Sequence, residues 1–345
     1  LFATLSVLWS ADWRTSLYIA LHLWLLFLFI LSLRDWREAW RPAMLGFCAA
    51  LSIQIIASFV EFAAQSTHFL LPLHSNWPGP FDPSVRGVSV VQFADGIRVL
   101  RAYGTTPHPN ILGGFLLLAL LGPTSIFLAN KKPNYLALVL LCLGIIALVL
   151  TFSRSAWLGF VVVILLLFLK SGHFDRRHLF LLLAASALTF LLTVYSLRDL
   201  VFTRVSGSQV ETEQLSRNGR SWLNQQGLET LRQYPLTGVG IGAFIITLSK
   251  HALEGAPIEP VHNILLLAGT ELGVFGMLIL IILFVSIAWK FIQSKTRNSI
   301  LSGVILAGLG VIGLFDHFLW TLAPGRVMLA LAFGLWAGSI KDHAA

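Results

Sequence analysis

Long apolar runs separated by short polar ones set the pattern of this chain. The runs cover about residues 16–33, 43–63, 111–129, 134–150, 156–169, 179–195, 264–289, 299–319 and 327–339. Several approach about 20 residues, the length a helix needs to cross roughly 30 Å of hydrocarbon. They are continuous, as in Ile111–Ala129 and Leu158–Leu169, whereas barrel strands alternate apolar and polar positions. Only helices and closed barrels satisfy every backbone group in lipid, so the pattern predicts helices. The expected fold is an all-α membrane protein, a polytopic transmembrane helix bundle of about nine complete spans. Residues 1–8 read as the end of one more span. Because the chain begins at Leu1 rather than Met, further N-terminal sequence is expected before it, and no cleavable signal peptide is visible.

The polar intervals divide the chain. The longest, about 197–261, is expected to be a large external loop with an amphipathic helix. It separates N-terminal transmembrane helices (1–196) from C-terminal ones (262–345). A second external connection, 64–110, contains Pro72, Pro78, Pro80 and Pro83, so its first half is not expected to be regular helix. With the large loop outside, Lys131, Lys132, Lys170, Lys290, Lys295 and Lys341 all fall inside, and Lys250 is the external lysine. Positive charge in short inner loops sets topology in this sense.

Composition agrees. The chain is 56% hydrophobic and 12% charged, against about a quarter charged in ordinary soluble domains. A net charge of +8 is compatible with nucleic-acid binding, but basic inner loops give the same balance and fit the spans, so no nucleic-acid partner is expected. Cys48 and Cys142 sit inside apolar runs and read as buried small hydrophobes rather than disulfide or metal ligands. There is no HExxH, no cysteine cluster and no DxD, and Asp82 and Asp95 are isolated. Metal-independent chemistry without a cofactor is the expectation.

The external arginines run against the charge bias and ask for a cause. Arg154 lies in a tight polar turn, Thr151–Ser155, between two spans. It either snorkels to a lipid headgroup or binds an anion. Arg101, Arg217 and Arg220 lie on the same side, and the planar guanidinium fork matches phosphate oxygens. Several such groups converging would suit a pyrophosphate, while each alone could be a solvated loop arginine. From Ser221 to Tyr234, Trp222, Leu223, Leu228 and Leu231 alternate with polar residues. That spacing predicts an amphipathic helix suited to a membrane surface, with Arg217 or Arg220 near its start. Gly238, Gly240 and Gly242 resemble a dinucleotide loop only superficially, since no strand precedes them; they suggest close backbone packing. His262, between Pro260 and an apolar run, is either a hydrogen-bonded interfacial histidine or a proton acceptor. In a regular helix Glu271 would face away from it. Glu271, Asp316, His317 and Glu61 are costly near lipid and are expected to pair with polar groups.

An ordered set of segments resembles one family. Thr151-Phe152-Ser153-Arg154-Ser155-Ala156-Trp157-Leu158 resembles the serine-arginine turn of the O-antigen ligase and O-antigen polymerase family of bacterial inner-membrane proteins. Arg220-Ser221-Trp222 followed by Pro235–Phe244 is similar to that family's large periplasmic loop. His262-Asn263-Ile264-Leu265-Leu266 with Glu271-Leu272-Gly273 and Gly276 is similar to its His-Asn segment, and Arg101, Gly104 and His108–Gly113 to the segment entering an upstream span. The resemblance implies a glycosyltransferase C-type arrangement of helices. It implies transfer of a glycan from an undecaprenyl pyrophosphate carrier to an acceptor hydroxyl at the outer face of the inner membrane. The acceptor would be lipid A core, another carrier-linked glycan or a protein. Carried over by position, Arg154 and Arg220 would hold the pyrophosphate, with Arg217 and Arg101 as further candidates, and His262 would activate the acceptor. The competing expectation is a transporter or flippase for an anionic lipid or solute, whose site would sit at midplane on broken helices.

Overall fold

The computed structural model describes residues 1–36, 38–68, 81–93, 95–206, 211–250 and 256–341. Each of the nine expected spans is helical. Seven helices are long and apolar enough to cross a membrane: Trp13–Asp35, Trp40–Ala64, Pro109–Ala129, Arg176–Ser196, Ile264–Gln293, Arg297–Phe315 and Ala323–Ile340. Tyr135–Leu150 and Arg154–Leu169 are equally apolar but shorter, at 16 residues each. Side chains such as Leu25, Leu28, Phe180, Leu191, Ile282 and Val285 are exposed on these helices. Bands of bare leucine, isoleucine and phenylalanine on long helices are what a lipid solvent requires and water does not tolerate. The protein is a multi-pass, all-α membrane protein.

Local chemistry sets the ends. Asn134, Asp175 and Asn263 cap the helices they precede, accepting from Ala137 N at 3.1 Å, His178 N at 2.9 Å, and both Leu265 N and Leu266 N at 3.0 Å. His108 accepts from Asn110 N at 3.1 Å, with Pro109 in the first turn.

Four details depart from the sequence pattern. The helix over the run 111–129 is interrupted at Leu120, which divides Pro109–Ala119 from Leu121–Ala129. Pro123 has no N–H to offer the Ala119 carbonyl and its ring crowds that oxygen. The run 299–319 stops at Phe315. Asp316 Oδ1 accepts from His317 N at 2.8 Å and Phe318 N at 3.4 Å, which starts a separate turn, Phe318–Thr321. The connection 64–110 carries a small antiparallel hairpin, with Val90 opposite Leu100 and Gln92 opposite Arg98. Pro72, Pro78 and Pro80 lie outside the described residues. Finally, Cys48 and Cys142 are half-buried and unpaired rather than fully enclosed.

The chain forms two compact units, neither continuous in sequence: Leu1–Trp36 with Leu215–Ser294 and Gly310–Ala345, and Arg37–Gln214 with Lys295–Leu309. In the first, the core near the loop is Leu223, Val239, Ala243, Phe244, Leu248, Val261 and Leu267. In the second, Val88, Leu100 and Tyr103 form a small core under the hairpin. There Glu61 Oε2 accepts from Tyr103 N at 3.0 Å and Gly104 N at 2.7 Å, which gives that buried carboxylate its polar partners.

Candidate functional site

In the first unit the site grows from the helix Glu211–Gln233 and the segment that follows it. The helix starts about ten residues before the expected Ser221, so Arg217 and Arg220 lie inside it, not at its mouth. Arg220 and Leu223 are three residues apart and share a face. Leu223 is buried in the cluster with Val261 and Leu267, and half-buried Trp222 packs against it. This face therefore packs against protein, while Leu215 and Leu228 of the same helix are exposed. Arg217, one turn earlier, is exposed.

Residues 235–242 then dock into a break in a transmembrane helix. Ile264–Gln293 is not regular: Gly273 has φ +69° and ψ −172°. Around it, Val239 N donates to Thr270 O at 3.0 Å, Gly240 N to Glu271 O at 2.9 Å, and Val274 N to Pro235 O at 2.7 Å. The backbone groups released by the break are thus paired by the glycine-rich segment. A Cβ on Gly238 would stand 2.5 Å from Glu271 O, so the glycine permits the close backbone approach. Glu271, 3% exposed, accepts from Trp320 Nε1 at 2.8 Å. Arg326 Nε donates to His22 Nδ1 at 3.1 Å and Arg326 Nη1 to Trp320 O at 3.2 Å.

The turn held by Trp320 brings His317 to His262. Their ring centroids are 4.9 Å apart with an interplanar angle of 82°. His262 Nδ1 is buried and has no hydrogen-bond partner among the described residues. Burial is the main reason its basicity falls, to a pKa of about 4; Arg220 and His317 lower it further, while Asp316 and the Pro260 carbonyl raise it. His317 is lowered too, first by burial, with Asp316 and Glu259 opposing and Arg220 assisting. The result is a neutral imidazole pair beside a guanidinium. Asp316 and His317 stood in the sequence only as polar residues ending an apolar run; the clue was that His262 begins one.

The second unit holds Arg101 and Arg154 at the serine-arginine turn. Phe152 has φ +48°, an uncommon left-handed conformation that needs local support. Arg101, 3% exposed, donates from Nε to Thr151 O at 2.7 Å and from Nη2 to Asn110 Oδ1 at 2.6 Å. Arg154 begins the helix Arg154–Leu169 and donates from Nη1 to Arg204 O at 3.0 Å. Buried Arg204 returns a bond from Nε to Phe152 O at 3.4 Å. Three arginines therefore meet at Thr151–Arg154. Arg204 was not separable in the sequence from the other loop arginines.

Residues 136–281 match the family model described as O-antigen ligase. This stretch is similar to the O-antigen ligase family. It spans the serine-arginine turn, Arg217, Arg220, His262 and the Gly273 break, while Arg101, Asp316 and His317 lie outside it. The chain is also 25% identical over 247 residues to a general O-oligosaccharyltransferase of Acinetobacter baylyi (strain ATCC 33305 / BD413 / ADP1). That alignment covers 67% of this chain and 43% of the relative, so the chain spans under half the length of the relative it matches. Within the matched stretch, Arg220 and His262 share one electrostatic neighbourhood. Arg154 belongs to the other unit, with Arg101.

Proposed function

We propose that the protein transfers a glycan from an undecaprenyl pyrophosphate carrier to an acceptor hydroxyl, on the outer face of the bacterial inner membrane. The observation that carries this reading is a buried, neutral imidazole with an open nitrogen beside Arg220, within the stretch similar to the O-antigen ligase family. The name of the Acinetobacter relative supports oligosaccharide transfer to a hydroxyl oxygen. The short, lysine-bearing connections opposite the large loop support the outer placement.

In the reaction, the acceptor oxygen forms a bond to the anomeric carbon while the bond from that carbon to the pyrophosphate oxygen breaks. His262 takes the acceptor proton. The electron pair of the broken bond leaves on the carrier pyrophosphate. Arg220 stabilises that charge, with Arg217 one turn away; in the other unit Arg154 is a candidate phosphate ligand, and Arg101 holds the turn that carries it. A fixed donor of this kind is worth on the order of 3 kcal/mol in the transition state. The depressed basicity of His262 has a use here. Arg220 is one cause of it, so a bound pyrophosphate that neutralises Arg220 raises His262 towards the working pH. Donor binding thereby strengthens the base, while burial, the larger cause, still holds its basicity down.

The transporter reading has one observation in its favour, the discontinuous helix with buried Glu271. However, the Thr270 and Glu271 carbonyls that a coupling ion would use already accept from Val239 and Gly240. The decisive experiment incubates the purified protein with a carrier-linked oligosaccharide and three acceptors: lipid A core, a second carrier-linked glycan, and a serine-containing protein. A new glycosidic bond is expected with one of them, and Arg220→Ala and His262→Ala should each lose it while still inserting and folding. Movement of the carrier across sealed vesicles with no bond formed would favour transport instead.

A further inference from the structure

The stretch similar to the O-antigen ligase family ends before residues 316–321, yet that turn meets His262. Its geometry is constrained from several sides. Asp316 Oδ1 takes His317 N at 2.8 Å, and Trp320 N and Thr321 N donate to His317 O at 2.8 and 3.0 Å. The His317 ring is oriented by Thr321 Oγ1, 2.8 Å from Nδ1. Trp320, in the same turn, is tied to Glu271 across the broken helix at 2.8 Å. What this scaffold presents to His262 is an imidazole at 4.9 Å and 82°, edge to face.

We propose that His317 is a positioning residue for the transfer reaction: its ring fixes the orientation in which His262 meets the acceptor proton. The inference rests on the reading of His262 as the base. An aromatic ring set edge to face against another fixes its tilt. His317 must itself stay uncharged, since a charged neighbour opposes protonation of His262. Burial and Arg220 favour the neutral form. The charged groups acting on the pair are Arg220 from the loop helix, Glu259 from the strand of chain before His262, and Asp316 from the turn itself. Asp316 also raises His262, so the turn adds negative potential as well as a ring.

The test compares full-length wild type, His317→Phe, His317→Ala and His262→Ala in glycan transfer, resolving kcat from KM for the carrier-linked donor. His317→Phe keeps an aromatic face without a titratable nitrogen and should retain kcat within about threefold. His317→Ala should lose up to about tenfold in kcat, the scale of one edge-to-face aromatic pair, with donor KM unchanged. Wild-type kcat in His317→Ala would overturn the proposal. So would a folded His317→Phe as inactive as His317→Ala, because a proton-carrying nitrogen would then be what matters. If His317→Ala does not fold, the Phe variant still decides between ring and nitrogen. Normal turnover in His262→Ala would instead overturn the base reading itself, and that outcome is separate from any result at position 317.

Discussion

Replacing Gly273 with alanine tests how far the fold and the activity depend on the break in its helix. The residue sits at φ +69° and ψ −172°, a region open essentially to glycine alone, where another residue costs about 1–3 kcal/mol. A Cβ there would fall on the Leu236 carbonyl and within 2.8 Å of Thr237 N. Both are backbone atoms that cannot rotate aside, and forced overlap in a packed interior adds roughly 1–3 kcal/mol. The loss expected for Gly273→Ala is therefore on the order of 2–6 kcal/mol, the sum of these two terms. Gly269→Ala is the matched control, one turn earlier in the same helix. Its Cβ would meet Leu231 Cδ2 at an ordinary 3.4 Å, and alanine for glycine in a regular helix gains about 0.5–1 kcal/mol. The assay is denaturant unfolding of the full chain in detergent, with turnover measured on the same samples. Gly273→Ala should unfold at a clearly lower midpoint and lose activity, since the break docks residues 235–242 and carries Glu271 to Trp320. Equal midpoints for the two variants would refute the reasoning, because a continuous helix would accept alanine at both positions.

Other outcomes follow from the same geometry. Arg101→Ala removes two charge-assisted hydrogen bonds from a buried turn and should lower stability by about 2–4 kcal/mol, read by thermal unfolding. Arg154→Ala should weaken donor binding with a smaller effect on unfolding, because its side chain is only half-buried; equal destabilisation would make Arg154 purely structural. The pH dependence has a definite sign. His262 must be neutral to accept a proton, so kcat/KM should be flat near neutrality and fall as pH drops through about 4. Arg220→Ala removes one cause of the depression and should move that acidic limb to higher pH. The same shift acts on stability. The folded value lies below the ordinary histidine value of 6.5, so protons bind the unfolded chain more readily, and stability is lost as pH falls from 6.5 towards 4. Trp320→Phe leaves the Glu271 carboxylate without its indole donor and should reduce stability by about 1–3 kcal/mol; an unchanged midpoint would mean that bond contributes nothing.

Hydrophobic run length alone determined that this chain spans a membrane as helices, because lipid leaves the backbone no other way to satisfy itself. The nine apolar runs were legible to within a few residues, except where a local competitor acted: Pro123 splitting one run, and the Asp316 carboxylate capping a new turn inside another. Residue type alone also marked Arg154, Arg220 and His262 as candidates, since guanidinium and imidazole at span ends are costly without a purpose. Their surroundings were a different matter. That Gly273 breaks its helix could not be read from an apolar run, because the break exists only where Pro235, Val239 and Gly240 supply the missing hydrogen bonds. That His317 faces His262 depends on Trp320 reaching Glu271, a contact between residues 49 positions apart. Periodicity reports which residues share a face of one element. Which nitrogen is buried, which charge lies beside it and how far its basicity falls are decided by neighbours that only the folded chain brings near.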